Sequence, residues 1–126
     1  MRLQVKLRHF KMKNPKEVAF AIICNGEYVG NIGVHKIDYD NKKTEIGYWV
    51  RQQYWGNGIA SEAVKQVIIY SFKRFKLKRI SAVAYSYNKS SQRVLEKAGM
   101  KYEGTMKKST KKFGKFLDEK IYAIVK

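Results

Sequence analysis

The chain has 126 residues, of which 44% are hydrophobic, enough for the core of one ordinary domain. Its 27 Lys and Arg against 10 Asp and Glu leave a formal charge of +17, a field that attracts phosphates, nucleic acid or an anionic surface. A single cysteine excludes an intramolecular disulfide and a cysteine-rich zinc site, and no apolar run nears the roughly 18 to 20 residues that cross a bilayer. The start MRLQVKLRHFKMK lacks the apolar core of a signal peptide, so a soluble cytoplasmic protein without a bound metal is expected.

The first sixteen residues have room for one short element, and His9 among them reads as a surface residue. Residues 17 to 38 hold two β-rich runs that meet at Asn25-Gly26, the pair favoured in a type I′ hairpin because both central residues take positive φ. Cys24 ends the apolar run VAFAIIC and reads as a small core residue. Polar turn residues (38 to 43) lead to a third strand, TEIGYWV (44 to 50). From Gly58 onward Ala60, Ala63, Val64, Val67, Ile68, Phe72 and Phe75 recur in steps of three and four, the spacing of one buried helix face. KRFKLKR (73 to 79) then runs into a short buried strand, ISAVAYS (80 to 86), and strand, helix, strand in one sheet predicts a parallel pair. NKSSQRVLEKAGM (88 to 100) predicts a shorter helix, with cap-forming residues before it and Gly99 as terminator. The remainder reads as a hairpin around Phe113-Gly114-Lys115. The predicted order is β-β-β-α-β-α-β-β in a single domain (1 to 126), an α/β (α+β) fold with a mixed, largely antiparallel sheet.

Chemistry concentrates at WGNGIAS (55 to 61), a turn with Gly56 and Gly58 that opens the long helix. A P-loop needs Lys-Ser/Thr after its second glycine, where Ile59-Ala60 stand. A dinucleotide-binding turn needs a third glycine, where Ser61 stands, and an acidic residue about 20 positions on, where KLKRI (76 to 80) has none. Left open are an ordinary strand-to-helix turn and a pyrophosphate site built from main-chain N–H groups and the helix dipole.

EIGYWVRQQYWGNGIASEA, followed one strand later by NKSSQRVLEKAGM, resembles the GCN5-related N-acetyltransferases (GNAT), most closely the RimJ/RimL-like branch. The family's Arg/Gln-x-x-Gly-x-Gly/Ala signature puts Gly58 and Ala60 on its last two positions and Trp55 where Arg or Gln is usual. Its second motif matches at Asn88, Ser91, Glu96, Lys97, Gly99 and Met100, with Leu95 where many members carry a tyrosine. The resemblance implies a GNAT-like sheet whose third and fourth strands splay apart. It also implies an N-terminal strand and a pair of helices, for which this chain has little room before Glu17.

From the resemblance follows an acyltransferase moving the acetyl group of acetyl-CoA to a primary amine, a protein N-terminal amine among the options, by direct attack in a ternary complex. Pantetheine would run along Trp49, Val50 and Arg51, Trp55, Gly56, Asn57, Gly58, Ile59, Ala60 and Ser61 would wrap the pyrophosphate, and Asn88 would reach the arm from the other side. A main-chain N–H around Trp49 or Val50 would stabilise the oxyanion. Glu45 is the first choice as base and His35 the second, against the reading of Glu45 as an ordinary solvent-facing strand residue. Ser91 is either the proton donor to the leaving thiolate, a helix cap, or both, with Tyr85 and Tyr87 as further donors. Two other readings stay open: a non-catalytic acetyl-CoA-binding sensor or structural protein, and a basic nucleic-acid- or ribosome-binding module. The expected partners are an amine acceptor, a second copy shielding exposed sheet, and a ribosome or nucleic acid on the basic surface, with no membrane.

Overall fold

Alternating apolar positions build one mixed sheet in the computed structural model, which describes residues 2–8 and 13–126. The strands are β1 (Leu3–Leu7), β2 (Val18–Cys24), β3 (Glu27–Asp38), β4 (Lys43–Val50), β5 (Arg79–Tyr85), β6 (Lys101–Lys112) and β7 (Lys115–Val125). Helix α1 (Ile59–Phe75) links β4 to β5, and α2 (Lys89–Lys97) links β5 to β6. The sheet order is β1-β2-β3-β4-β5-β7-β6, antiparallel throughout except for β4 and β5.

The α+β class and the order from β2 onward are as expected; β1 is an addition. LQVKL is too short and too basic for its periodicity to stand out, but β2 offers it an edge, and they pair from Leu3–Cys24 to Leu7–Phe20. The hairpin at Asn25-Gly26 takes the predicted form, with positive φ at both residues, and the last hairpin falls where expected but turns on two residues, Phe113 and Gly114, also at positive φ, with Lys115 already in β7 and paired with Lys112. Gly99, at φ 99°, ends α2 as expected, and the Met100 N–H donates to Leu95 O at 3.0 Å in the six-residue closure of a Schellman end.

Strand alternation assigns the two faces. Val18, Phe20, Ile22 and Cys24 of β2 and Ile80, Ala82 and Ala84 of β5 point into one core with Ala63, Val64, Val67 and Ile68 of α1 and Leu95 of α2. Each such aliphatic side chain, buried in full, contributes about 1.5–3 kcal/mol. Both helices therefore lie on the same face. His35, Glu45, Trp49 and Val83, at the alternate positions, belong to the other face and are exposed.

The parallel pair is short. β4 meets β5 only from Lys43–Arg79 to Glu45–Ser81, after which the two strands part, β4 running on to Val50 and β5 to Tyr85. Gln92, buried in the first part of α2, ties the helix to the end of β5 by donating from Nε2 to Tyr85 O at 3.0 Å and Ser86 O at 3.1 Å, which satisfies carbonyls beyond the reach of β4.

Candidate active site

The parting strands open a cleft of about 510 Å³, bounded by the end of β4, the glycine turn, the start of α1 and one side of α2. Its size is that of a small-molecule site.

On the β4 wall the main chain decides what is offered. The Arg51 N–H donates to Val29 O at 2.8 Å, and the register pairs Asn31 with Trp49 and Gly30 with Val50. Because bonded and non-bonded positions alternate along an antiparallel pair, Arg51 and Trp49 spend their main-chain groups on β3, whereas Tyr48 and Val50 present theirs to the gap. The Val50 carbonyl is already taken by the Trp55 indole, whose Nε1 donates to it at 2.6 Å. Of Trp49 and Val50, it is Val50 whose main-chain N–H the strand geometry turns to the gap.

At the floor, the 3-10 turn Gln52–Tyr54 leads through Trp55 into Gly56 and Gly58, at φ 82° and 75°. Left-handed backbone of this kind costs an L-residue roughly 1–2 kcal/mol. A Cβ added at either glycine would meet no protein atom within 4 Å, so the strain comes from the backbone alone and the space beside the turn is free. Gly58 is the N-cap of α1 and provides no side-chain acceptor, and the first helical bond, Glu62 N–H to Gly58 O at 3.1 Å, leaves the N–H groups of Ile59, Ala60 and Ser61 without helical partners. The Ser61 hydroxyl turns back to donate to Gly58 O at 3.1 Å.

The α2 wall is built differently. Here a side chain does cap the helix: the Ser91 N–H donates to Asn88 Oδ1 at 3.0 Å. Asn88 is the cap and Ser91 the capped residue, which leaves the Ser91 hydroxyl free. It reaches across the cleft to the Tyr48 hydroxyl at 3.0 Å, a bond in which either oxygen can donate. Burial pushes the Tyr48 phenol above its usual range, and the Ser91 bond draws it part of the way back. Arg93 and Lys97, one helical turn apart, add positive charge to the same wall.

The residues predicted from the sequence divide accordingly. Trp49, Val50, Trp55, Gly56, Gly58, Ile59, Ala60, Ser61, Asn88 and Ser91 all line the cleft, whereas Arg51 and Asn57 sit beside it without lining it. Glu45 lies on the other sheet face, in a separate depression of about 460 Å³, with Lys36 Nζ 3.3 Å from its carboxylate. His35 is its cross-strand partner and approaches Glu17 at 3.7 Å. The two base candidates are thus neighbours on the face opposite the helices. Tyr85 and Tyr87 stack on each other 5.4 Å apart with Lys112 over Tyr85, outside the cleft. Leu95 is 1% exposed in the core, His9 lies outside the described residues, and no cluster of metal-ligating side chains occurs among those described.

Sequence reasoning missed Tyr48, Gln92 and Arg93, and it named Lys97 as a motif residue without placing it on the cleft. Arg93 and Lys97 carried a usable signal, since Ser90, Arg93, Val94 and Lys97 form one helical stripe that is too polar for core. Tyr48 carried none that separates it from the other strand aromatics.

Comparison with known proteins agrees with this geometry. The acetyltransferase (GNAT) domain profile matches residues 3–101. Among curated proteins, the chain is 37% identical over 79% of its length to the uncharacterized N-acetyltransferase YoaA of Bacillus subtilis, of which it covers 56%. It is 31% identical over 83% of its length to the putative ribosomal N-acetyltransferase YdaF of the same organism, of which it covers 57%. The chain thus spans little more than half the length of these relatives. Among solved structures, Mycobacterium smegmatis RimJ in complex with CoA-disulfide superposes with a TM-score of 0.83 at 30% identity, over 87% of this chain and 53% of that one. With the splayed strands, the glycine turn and the Asn88–Ser91 helix start in the arrangement that the sequence motifs imply, the chain belongs to the GNAT acetyltransferase family, in its RimJ/RimL-like branch.

Proposed function

We propose that this chain carries the transfer site of an N-acetyltransferase that takes acetyl-CoA as acetyl donor and a primary amine as acceptor, in a ternary complex, with a protein N-terminal amine as the first acceptor class. The observation that carries the reading is the meeting in one cleft of an unpaired strand edge, a helix N-terminus with no side-chain cap and the Ser91 hydroxyl, which is bonded to the Tyr48 hydroxyl. Relatives named for ribosomal N-acetylation support the acceptor class.

The residues present fit such a donor. The free space at Gly56 and Gly58 beside three unpartnered N–H groups suits a pyrophosphate, which the helix dipole favours and Arg93 and Lys97 complement in charge. The gap-facing main-chain groups of Tyr48 suit an amide of a pantetheine arm laid in as an extra strand, and the Val50 N–H, whose own carbonyl is held by the Trp55 indole, is left for the acyl oxygen. The thioester is the activated acyl group that the bound donor supplies. Val50 N–H then faces the developing charge on the carbonyl oxygen, Ser91 delivers a proton to the departing sulfur, and the amine enters from the opposite sheet face, where Glu45, through water, takes its proton.

The test is calorimetric titration with acetyl-CoA at low and moderate salt, followed by an acceptor screen of N-terminal peptides, polyamines and small amines. Expected is a dissociation constant on the order of micromolar that survives the added salt, and acetylation of a peptide α-amine. Binding that disappears with salt would mark general attraction of a polyanion to the +17 chain and overturn the reading in favour of a nucleic-acid-binding module. Salt-resistant binding with every amine left untouched would point instead to a non-catalytic sensor.

A further inference from the structure

We propose that Tyr48 is the proton reserve of the cleft, acting through Ser91 to protonate the departing sulfur. The inference rests on the acetyl-transfer reading and assigns within it a residue that neither the sequence motifs nor the glycine turn singles out. Four observations converge on it. Tyr48 lies on the helix-facing side of β4, beyond the last β4–β5 pair at Glu45–Ser81, and lines the cleft between the parted strands. Its hydroxyl meets Ser91 Oγ at 3.0 Å across the cleft, joining two residues 43 positions apart. The Ser91 N–H is satisfied by Asn88, so the hydroxyl has no capping duty to draw it away. And α2 offers no phenol of its own, Leu95 being sealed in the core.

The chemistry explains why the pairing matters. An aliphatic hydroxyl standing alone is a poor acid for a thiolate, whereas a phenol, even one that burial raises above its usual value, is a far stronger acid than an alcohol and stands closer to the thiol. When the C–S bond breaks, its electron pair stays on sulfur. Sulfur takes the Ser91 proton, Ser91 Oγ takes the Tyr48 proton, and the phenolate regains one from water. A phenol is protonated at neutral pH, and burial moves Tyr48 further in that direction, so the reserve is full at the start of each cycle. Ser91 is the group that touches the reacting atom, and Tyr48 the positioning and supply residue behind it.

Two measurements test this. The first is NMR of protein labelled with [13Cζ]tyrosine, with Tyr48→Phe assigning the resonance and calorimetry run in parallel. Added coenzyme A should shift the Tyr48 signal in the native chain and leave it in place in Ser91→Ala. Coenzyme A that binds without moving the signal, or that moves it equally in Ser91→Ala, overturns the relay but leaves the transfer reading standing. Absence of coenzyme A binding overturns both. The second is turnover on a peptide acceptor. Tyr48→Phe should lower kcat about 10²-fold with the KM for acetyl-CoA unchanged, and Tyr48→Phe/Ser91→Ala should be no slower than Ser91→Ala alone. Full activity in Tyr48→Phe, or losses that multiply in the double variant, would overturn the proposal.

Discussion

Gly58 shows how a single residue serves both fold and site. At φ 75° it turns the chain into α1, and by lacking a side chain it leaves the N–H groups of the first turn uncovered. Valine at this position would add β-branched strain to the backbone as well as bulk, so a loss of binding in Gly58→Val has two causes. Gly58→Ala is the cleaner probe. Its Cβ meets nothing in the protein, and it is expected to fold with a stability cost of about 1 kcal/mol while weakening acetyl-CoA binding at least 10-fold, as read by calorimetry beside a thermal melt. Unchanged affinity would remove the pyrophosphate from the turn. Trp55 is a second case. The motif places it where Arg or Gln is usual, and its indole caps the Val50 carbonyl, a main-chain task that needs no charge.

At the scale of elements, the cleft depends on where α2 begins and how it is tethered. Asn88 caps it through Ser91 N–H and Gln92 ties it to the end of β5, so the helix start cannot drift without losing bonds at both sites. Replacing a capping Asn by Ala costs about 1 kcal/mol, which for a chain of this length lowers the melting midpoint by roughly 4 °C. Asn88→Ala should therefore melt earlier and also bind acetyl-CoA more weakly, whereas Asn88→Ser should restore most of the midpoint. A variant that melts normally would show that the cap contributes nothing to the helix. The helix was legible in advance because Gly99 and the cap-forming residues are local signals. That Asn88, and not Ser91, does the capping was not, because both side chains are suited to the role and only the local backbone settles which one reaches an N–H.

Across the whole molecule the charge is unevenly placed. The N–H of Lys78 donates to Lys42 O at 2.7 Å, that of Lys126 to Lys78 O at 3.0 Å, and the Arg74 guanidinium to Lys13 O at 3.3 Å. Four separate stretches of the chain thus gather their basic residues at the end of the molecule where α1 finishes. The cleft is at the other end of α1, 17 residues away, or about 25 Å. Ion pairs offset little of this, since Arg79–Glu103 is bidentate but partly exposed. Like charges this close repel, so the melting midpoint should rise by a few degrees between about 0.01 and 0.15 M salt as the Debye length falls from about 30 to 8 Å. A midpoint independent of salt would show that the lysines are spaced widely enough for water alone to screen them.

Legible in the sequence alone were the class of fold, the strands and helices from Val18 onward, the type I′ turn at Asn25-Gly26 and the place of the last hairpin, the glycine turn and the family motifs around Asn88 and Ser91. These are written in spacings of two and of three to four residues and in turn chemistry, all of which act within a few residues of one another. The parting of β4 and β5 was implied by the family motifs, but it took the folded chain to set it after Glu45, to turn the N–H of Val50 rather than Trp49 to the gap, and to put Glu45 and His35 together on the far face. The fold alone brought Tyr48 to Ser91. Those outcomes depend on register between strands and on the seating of a helix over a sheet, where one residue of slip would send Tyr48 to the opposite face, and no periodicity along the chain records that choice.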